Sequence, residues 1–240
     1  MSLRKRIFHF MHINGRRFLL IFSYLAFYMI CFCLLEKRKV DYHIVTLPID
    51  YKIPFCEYFI IPYYFWFVYS FVGIVFTLFQ KRGQDFYLLA FDMAFGMTFF
   101  LIFSWVWPNG LDLRPAVMPR DNIFCKLVAG LYRTDTPTNV LPSIHVFNSI
   151  GVTVALNKLH AIQKHPKIRI SCWIIMVFII LSTVFLKQHS IIDVFFGIGL
   201  QLALYPFVYG PLSKPLHSFF RKFVDRKHFS ADYDLDWFGQ

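Results

Sequence analysis

His189 and Asp193 are the residues whose types and spacing first suggest chemistry. Four apart, they share one face of a helix. A carboxylate bonded to one imidazole nitrogen fixes the tautomer and raises the basicity of the other, the state in which a histidine attacks phosphorus. The plainer reading is a buried pair that steadies a turn. His145 follows Pro142-Ser143. That is a good helix start, because proline is tolerated in a first turn and a serine hydroxyl accepts from the free N–H groups. Such a start also offers backbone donors and a positive dipole end to an anion, with His145 within reach. The alternative is a cap beside an interfacial histidine. Arg114-Pro115 adds a guanidinium, which grips phosphate oxygens in pairs and keeps its charge. Taken alone, an outer arginine is a headgroup contact.

These residues are far apart in the chain, so helices must bring them together. The chain is 57% hydrophobic and 20% aromatic, with 31 Phe, well above the apolar share of a soluble domain. Apolar runs long enough to cross a bilayer recur. They predict an all-α membrane protein, a six-transmembrane-helix bundle over about 18–35, 58–79, 86–107, 143–159, 170–185 and 191–209. If the fourth and fifth runs cross in succession, His145 and His189 fall at helix ends on the same face. The 108–141 connection is the longest. In it Asp121-Asn122 is suited to cap a short helix with Ile123, Phe124, Leu127, Val128, Leu131 and Tyr132 on one face. That helix either lies at the membrane interface or packs over the bundle mouth.

The net charge is +11, but the basic residues sit in short segments between apolar runs, as orientation signals do. No nucleic-acid partner is expected from that pattern. The bias of Lys and Arg places both termini in the cytoplasm and the histidines on the outer side. Residues 1–17 then form a basic cytoplasmic N-terminus, 18–210 the membrane domain and 211–240 a basic cytoplasmic tail. The first apolar run is followed by Glu36-Lys37-Arg38-Lys39 rather than a small-residue cleavage site, so it reads as an uncleaved helix. A bacterial plasma membrane is the expected location. The five cysteines show no metal-ligand spacing, and whether Cys56 and Cys125 pair is left open.

Arg114-Pro115, then Pro142-Ser143-Ile144-His145, then Ser182 with His189 and Asp193, resemble in order and spacing the signature motifs of the type-2 phosphatidic acid phosphatase superfamily. The pattern there is Lys-x6-Arg-Pro, Pro-Ser-x-His and Ser-Arg-x5-His-x3-Asp, and the resemblance covers about residues 58–205. It implies an integral-membrane enzyme that needs no metal or other cofactor. His189 would be the nucleophile, forming a phosphohistidine. Asp193 would orient it, and His145 would protonate the leaving oxygen. Arg114 and Ser143 would hold the phosphoryl oxygens.

Two slots depart from the pattern. Trp107 stands where the family has Lys, and Thr183 where it has the second Arg. Thr183 and Lys187 are the candidates for the missing phosphate contacts, with Arg120, Lys126 and Arg133 further off in the outer loop. Losing two cations weakens the hold on a dianionic monoester more than on a monoanionic diester. The first expectation is hydrolysis of a lipid phosphate or pyrophosphate. The alternative is headgroup transfer between lipids, as in the inositol phosphorylceramide and sphingomyelin synthases. A third reading, from a different class, is a non-catalytic transporter or scaffold. The partners are a lipid phosphate or phospholipid substrate and the bilayer.

Overall fold

The computed structural model describes residues 3–80 and 83–228. The Lys81-Arg82 turn and the tail beyond His228 lie outside the described residues. The described residues are all-α but for one pair of two-residue strands. In order it runs α1 (Leu3–Glu36), β1 (His43–Ile44), α2 (Pro48–Lys52), a single 3-10 turn (Glu57–Phe59), α3 (Ile60–Leu78), α4 (Gly83–Val106), β2 (Asn109–Gly110), α5 (Ile123–Thr134), α6 (Ile144–Lys158), α7 (His160–Gln163), α8 (Pro166–Phe185), α9 (Ile191–Val208) and α10 (Lys214–His228).

Among the described residues, five helices are long and apolar enough to cross a membrane: the second part of α1, α3 with its preceding turn, α4, α8 and α9. The fourth expected span is α6, which has 15 residues. At 1.5 Å per residue that is about 22 Å, short of a hydrocarbon core about 30 Å thick. α3, α4, α8 and α9 all pack against α6. Large apolar side chains such as Phe67, Phe71, Trp173 and Phe195 are exposed on the surrounding helices α3, α8 and α9.

Small residues let backbones approach where lipid gives helices no hydrophobic reason to associate. A Cβ on Gly73 of α3 would meet Val152 at 2.6 Å, and one on Gly96 of α4 would meet Phe147 at 2.2 Å. On α9, Gly197 lies against the carbonyl of Ser143. The α6 surface is thus enclosed on three sides by glycines of its neighbours. Asp92 of α4, an ionisable group, is fully buried in the bundle and accepts from Gln201 Nε2 of α9 at 3.1 and 3.2 Å.

The helix ends are set locally. Asn122 caps α5 by accepting from the Cys125 N–H at 2.8 Å, and Ser143 caps α6 by accepting from Val146 N–H at 3.4 Å. Ser190 and Asp193 close a capping box at the start of α9. At the opposite end Arg17 is buried and donates to the Leu78 carbonyl at 3.1 Å, satisfying the free end of α3.

Three elements depart from the sequence expectation. The first helix begins at Leu3 rather than near Phe18. Pro48–Lys52 is a short helix in the connection between the first two expected spans. The basic tail forms α10, which packs on α4 and α9. Cys56 and Cys125 are both free thiols.

Candidate active site

The capping box of α9 does two jobs. Asp193 Oδ2 accepts the Ser190 N–H at 2.9 Å and lies 3.3 Å from His189 Nδ1. A proton on His189 Nδ1 therefore points at the carboxylate, which leaves Nε2 with a lone pair. His145 Nδ1 lies 3.4 Å from that Nε2. In this tautomer pairing a carboxylate, a bare imidazole nitrogen and a second imidazole N–H form one line. Ser143 N–H also donates to the Asp193 carbonyl at 3.3 Å, which ties the starts of α6 and α9 together. Both histidines are buried, and the His145 ring lies 4.7 Å from Tyr63 and 4.4 Å from Trp66, centroid to centroid.

The turn from α8 into His189 is held from outside the bundle. Asp50 of α2 is buried and accepts from Ser190 Oγ at 2.6 Å and from Ile191 N–H at 2.9 Å. Lys187 adopts the left-handed region, φ 54°, which L side chains enter only at a cost. Its Nζ donates to the carbonyls of Asp50 at 2.6 Å and Ile53 at 2.5 Å. Burial lowers its pKa, and Asp50 partly offsets this. Lys187 is thus a clamp between α2 and the turn, with its donors on carbonyls rather than on the cleft. Thr183 likewise serves the turn: its carbonyl accepts from Gln188 and His189 N–H, both at 3.0 Å, and its hydroxyl donates to Ile180.

Arg114 stands one layer back. Its guanidinium donates to the carbonyls of Tyr132 at 3.2 Å and Asp135 at 2.7 Å, to Gln188 Oε1, and lies over the Tyr132 ring. Burial depresses its pKa, against the opposing pull of Asp135. Gln188 passes the connection on, donating to Asp135 Oδ2 at 3.1 Å, where Tyr63 OH also donates at 3.0 Å. Burial raises the Asp135 carboxyl above its ordinary range. The other cations of the outer loop are placed elsewhere. Arg120 pairs with buried Glu57 at 2.7 Å, Lys126 with Asp121 at 3.0 Å, and Arg133 is exposed.

A cleft of about 50 Å³ opens on this line of groups, lined by His145, His189, Asp135 and Gln188 together with Phe32 and Phe100. The loop above it is fixed by Asn109, whose Oδ1 accepts from Val140 and Leu141 N–H, both at 2.9 Å. Thr136, Thr138 and Asn139 of the same loop donate to Glu36 at the end of α1. Among the described residues no three His, Cys, Asp or Glu side chains gather as a metal would require.

The structure thus brings His145, His189 and Asp193 into direct contact, places Arg114 next to them through Gln188, and directs Lys187 and Thr183 into the supporting turn. Sequence reasoning missed Asp135, Gln188 and Asp50. A signal existed for Asp135 as an ionisable residue on the predicted outer side, seven positions before Pro142. The partners of Asp50 lie 140 residues away, and nothing local marks them. No family model, curated protein or solved structure matches this chain.

Proposed function

We propose that the chain is an integral-membrane enzyme that breaks a P–O bond of a lipid phosphoester through a covalent phosphohistidine at His189. The observation that carries this reading is the Asp193–His189–His145 line, with contacts of 3.3 and 3.4 Å. Asp193 holds the Nδ1 proton, so Nε2 attacks phosphorus. His145 delivers its proton to the departing lipid oxygen, then takes one from the incoming hydroxyl as the N–P bond breaks. Arg114, one layer back, favours the charge that builds on the phosphoryl oxygens through its own charge and through Gln188, which lines the cleft.

The balance of charge favours a monoanionic diester as donor over a dianionic monoester. One guanidinium stands beside the cleft, Trp107 and Thr183 fill the other cation slots, and Asp135 adds a carboxylate. In this reading the enzyme moves a headgroup phosphate onto an alcohol, as a phosphotransferase of the superfamily that the motifs resemble. Hydrolysis of a lipid phosphate or pyrophosphate uses the same residues with water as acceptor. We place α6 as a sixth crossing, α5 at the outer interface, both termini in the cytoplasm and the site at the outer face of a bacterial plasma membrane. Turnover of a panel of mono- and diester lipids by the purified protein, beside His189→Ala, tests the reading. Turnover lost in a folded His189→Ala protein supports it. Turnover that persists in that variant contradicts it, and the absence of His189-dependent turnover on every member of the panel favours the transporter or scaffold reading.

A further inference from the structure

Asp135 is left over by the mechanism above, yet it lines the same cleft as His189. Both of its side-chain hydrogen bonds, from Tyr63 and Gln188, end on Oδ2. Among the described residues nothing donates to Oδ1, and Asp135 has no partner in an ion pair. Arg114 Nη1 and Nη2 donate to two backbone carbonyls and the Gln188 amide, and Arg114 attracts this carboxylate only through space, with no hydrogen bond to it. Glu36, held by the loop that follows Asp135, is a second carboxylate without a salt bridge among the described residues. A partly buried carboxylate is costly to keep charged unless a cation meets it. Two aromatic rings, Phe32 and Phe100, also line this cleft, with centroids 6.3 Å apart, and aromatic rings attract cations.

We infer that Asp135 receives the positive charge of the substrate headgroup, so that the donor is a zwitterionic phosphodiester lipid of the phosphoethanolamine or phosphocholine type. This rests on the phosphohistidine reading. The His189 Nε2–P bond forms as the bond from phosphorus to the diacylglycerol oxygen breaks. His145 gives that oxygen its proton, and the headgroup stays on phosphorus with its cationic end at Asp135. Water or an alcohol then attacks phosphorus, returning a proton to His145 and freeing His189. The carboxylate that stabilises the cationic end also repels a dianionic monoester, which makes Asp135 a specificity-determining residue as well as a binding one.

The test is diacylglycerol release by the full chain in lipid nanodiscs, from phosphatidylethanolamine, phosphatidylcholine, phosphatidylglycerol and phosphatidic acid. Expected is a kcat/KM for the two zwitterionic donors at least about tenfold above the others, one well-placed charge contact being worth that much or more. Asp135→Asn then collapses the ratio of phosphatidylethanolamine to phosphatidylglycerol towards one, and Asp135→Glu restores part of it. Equal use of phosphatidylglycerol and phosphatidylethanolamine, or a loss in Asp135→Asn that is the same for every donor, overturns the headgroup assignment while leaving the His189 chemistry standing. If no donor is turned over in a His189-dependent way, the phosphohistidine reading fails first and takes this one with it.

Discussion

Replacing Gly197 by Ala adds a single carbon at the contact between α9 and α6, with a consequence that can be worked from the coordinates. The new Cβ would lie 2.9 Å from the Ser143 carbonyl oxygen, 3.0 Å from Val146 Cβ and 3.2 Å from Val146 Cγ1. The first of these is backbone and cannot rotate away, so one helix must move. Ser143 caps the helix that carries His145, and Asp193 lies one turn before Gly197. Any separation therefore lengthens the 3.4 Å contact between the two imidazoles. Overpacking of this kind costs about 1–3 kcal/mol in stability. A shift approaching ~1 Å costs on the order of 100-fold in rate, about 2.7 kcal/mol in barrier height. The assay is kcat/KM on the best lipid donor, with circular dichroism and thermal unfolding in the same detergent. Gly199→Ala is the control, because nothing lies within 4 Å of a Cβ there. The expected result is a loss of about 100-fold for Gly197→Ala and near wild-type turnover for Gly199→Ala. Equal activity in the two variants refutes the claim that α6–α9 spacing sets the site.

Two further outcomes are expected. His145→Ala should slow donors with poor leaving groups by about 10²–10⁴-fold while sparing activated aryl esters, because only the former need a proton; equal losses for both remove the acid role. Asp135→Asn should become more stable relative to wild type as pH rises from about 4. The wild-type carboxyl has a folded pKa raised above 3.8 by burial, so the folded state binds more protons than the unfolded one and loses stability as pH climbs through that raised value. Thermal midpoints of the pair across pH 4–8 check this, and a difference that shrinks with rising pH contradicts it.

Much of the fold was legible because helix ends and apolar runs are local. Asn122, Ser143 and the Ser190–Asp193 box announce their helices within four residues, and the structure uses each as a cap. The pairing of His145 with His189 needed only the assumption that α6 and α8 run in opposite directions. Lys187 was misread because its proximity in sequence to His189 says nothing of its side chain, whose partners lie 137 and 134 residues away. Asp50 and Asn109 escaped notice for the same reason, since a buried polar group is defined by partners that only the folded chain supplies. The α10 helix is different. Leu216, Phe219, Phe220 and Phe223 recur at helical spacing, but the charges between them made the tail read as an orientation signal.

The central claim is that His189 becomes covalently phosphorylated. Rapid base quench of the protein during turnover of its donor lipid, followed by peptide mass spectrometry, measures this directly. Expected is a phosphate or phosphate-headgroup adduct on the peptide containing His189, stable in base, labile in acid and absent from His189→Ala. Steady turnover with no adduct at any time, or an adduct on another residue that survives His189→Ala, contradicts it.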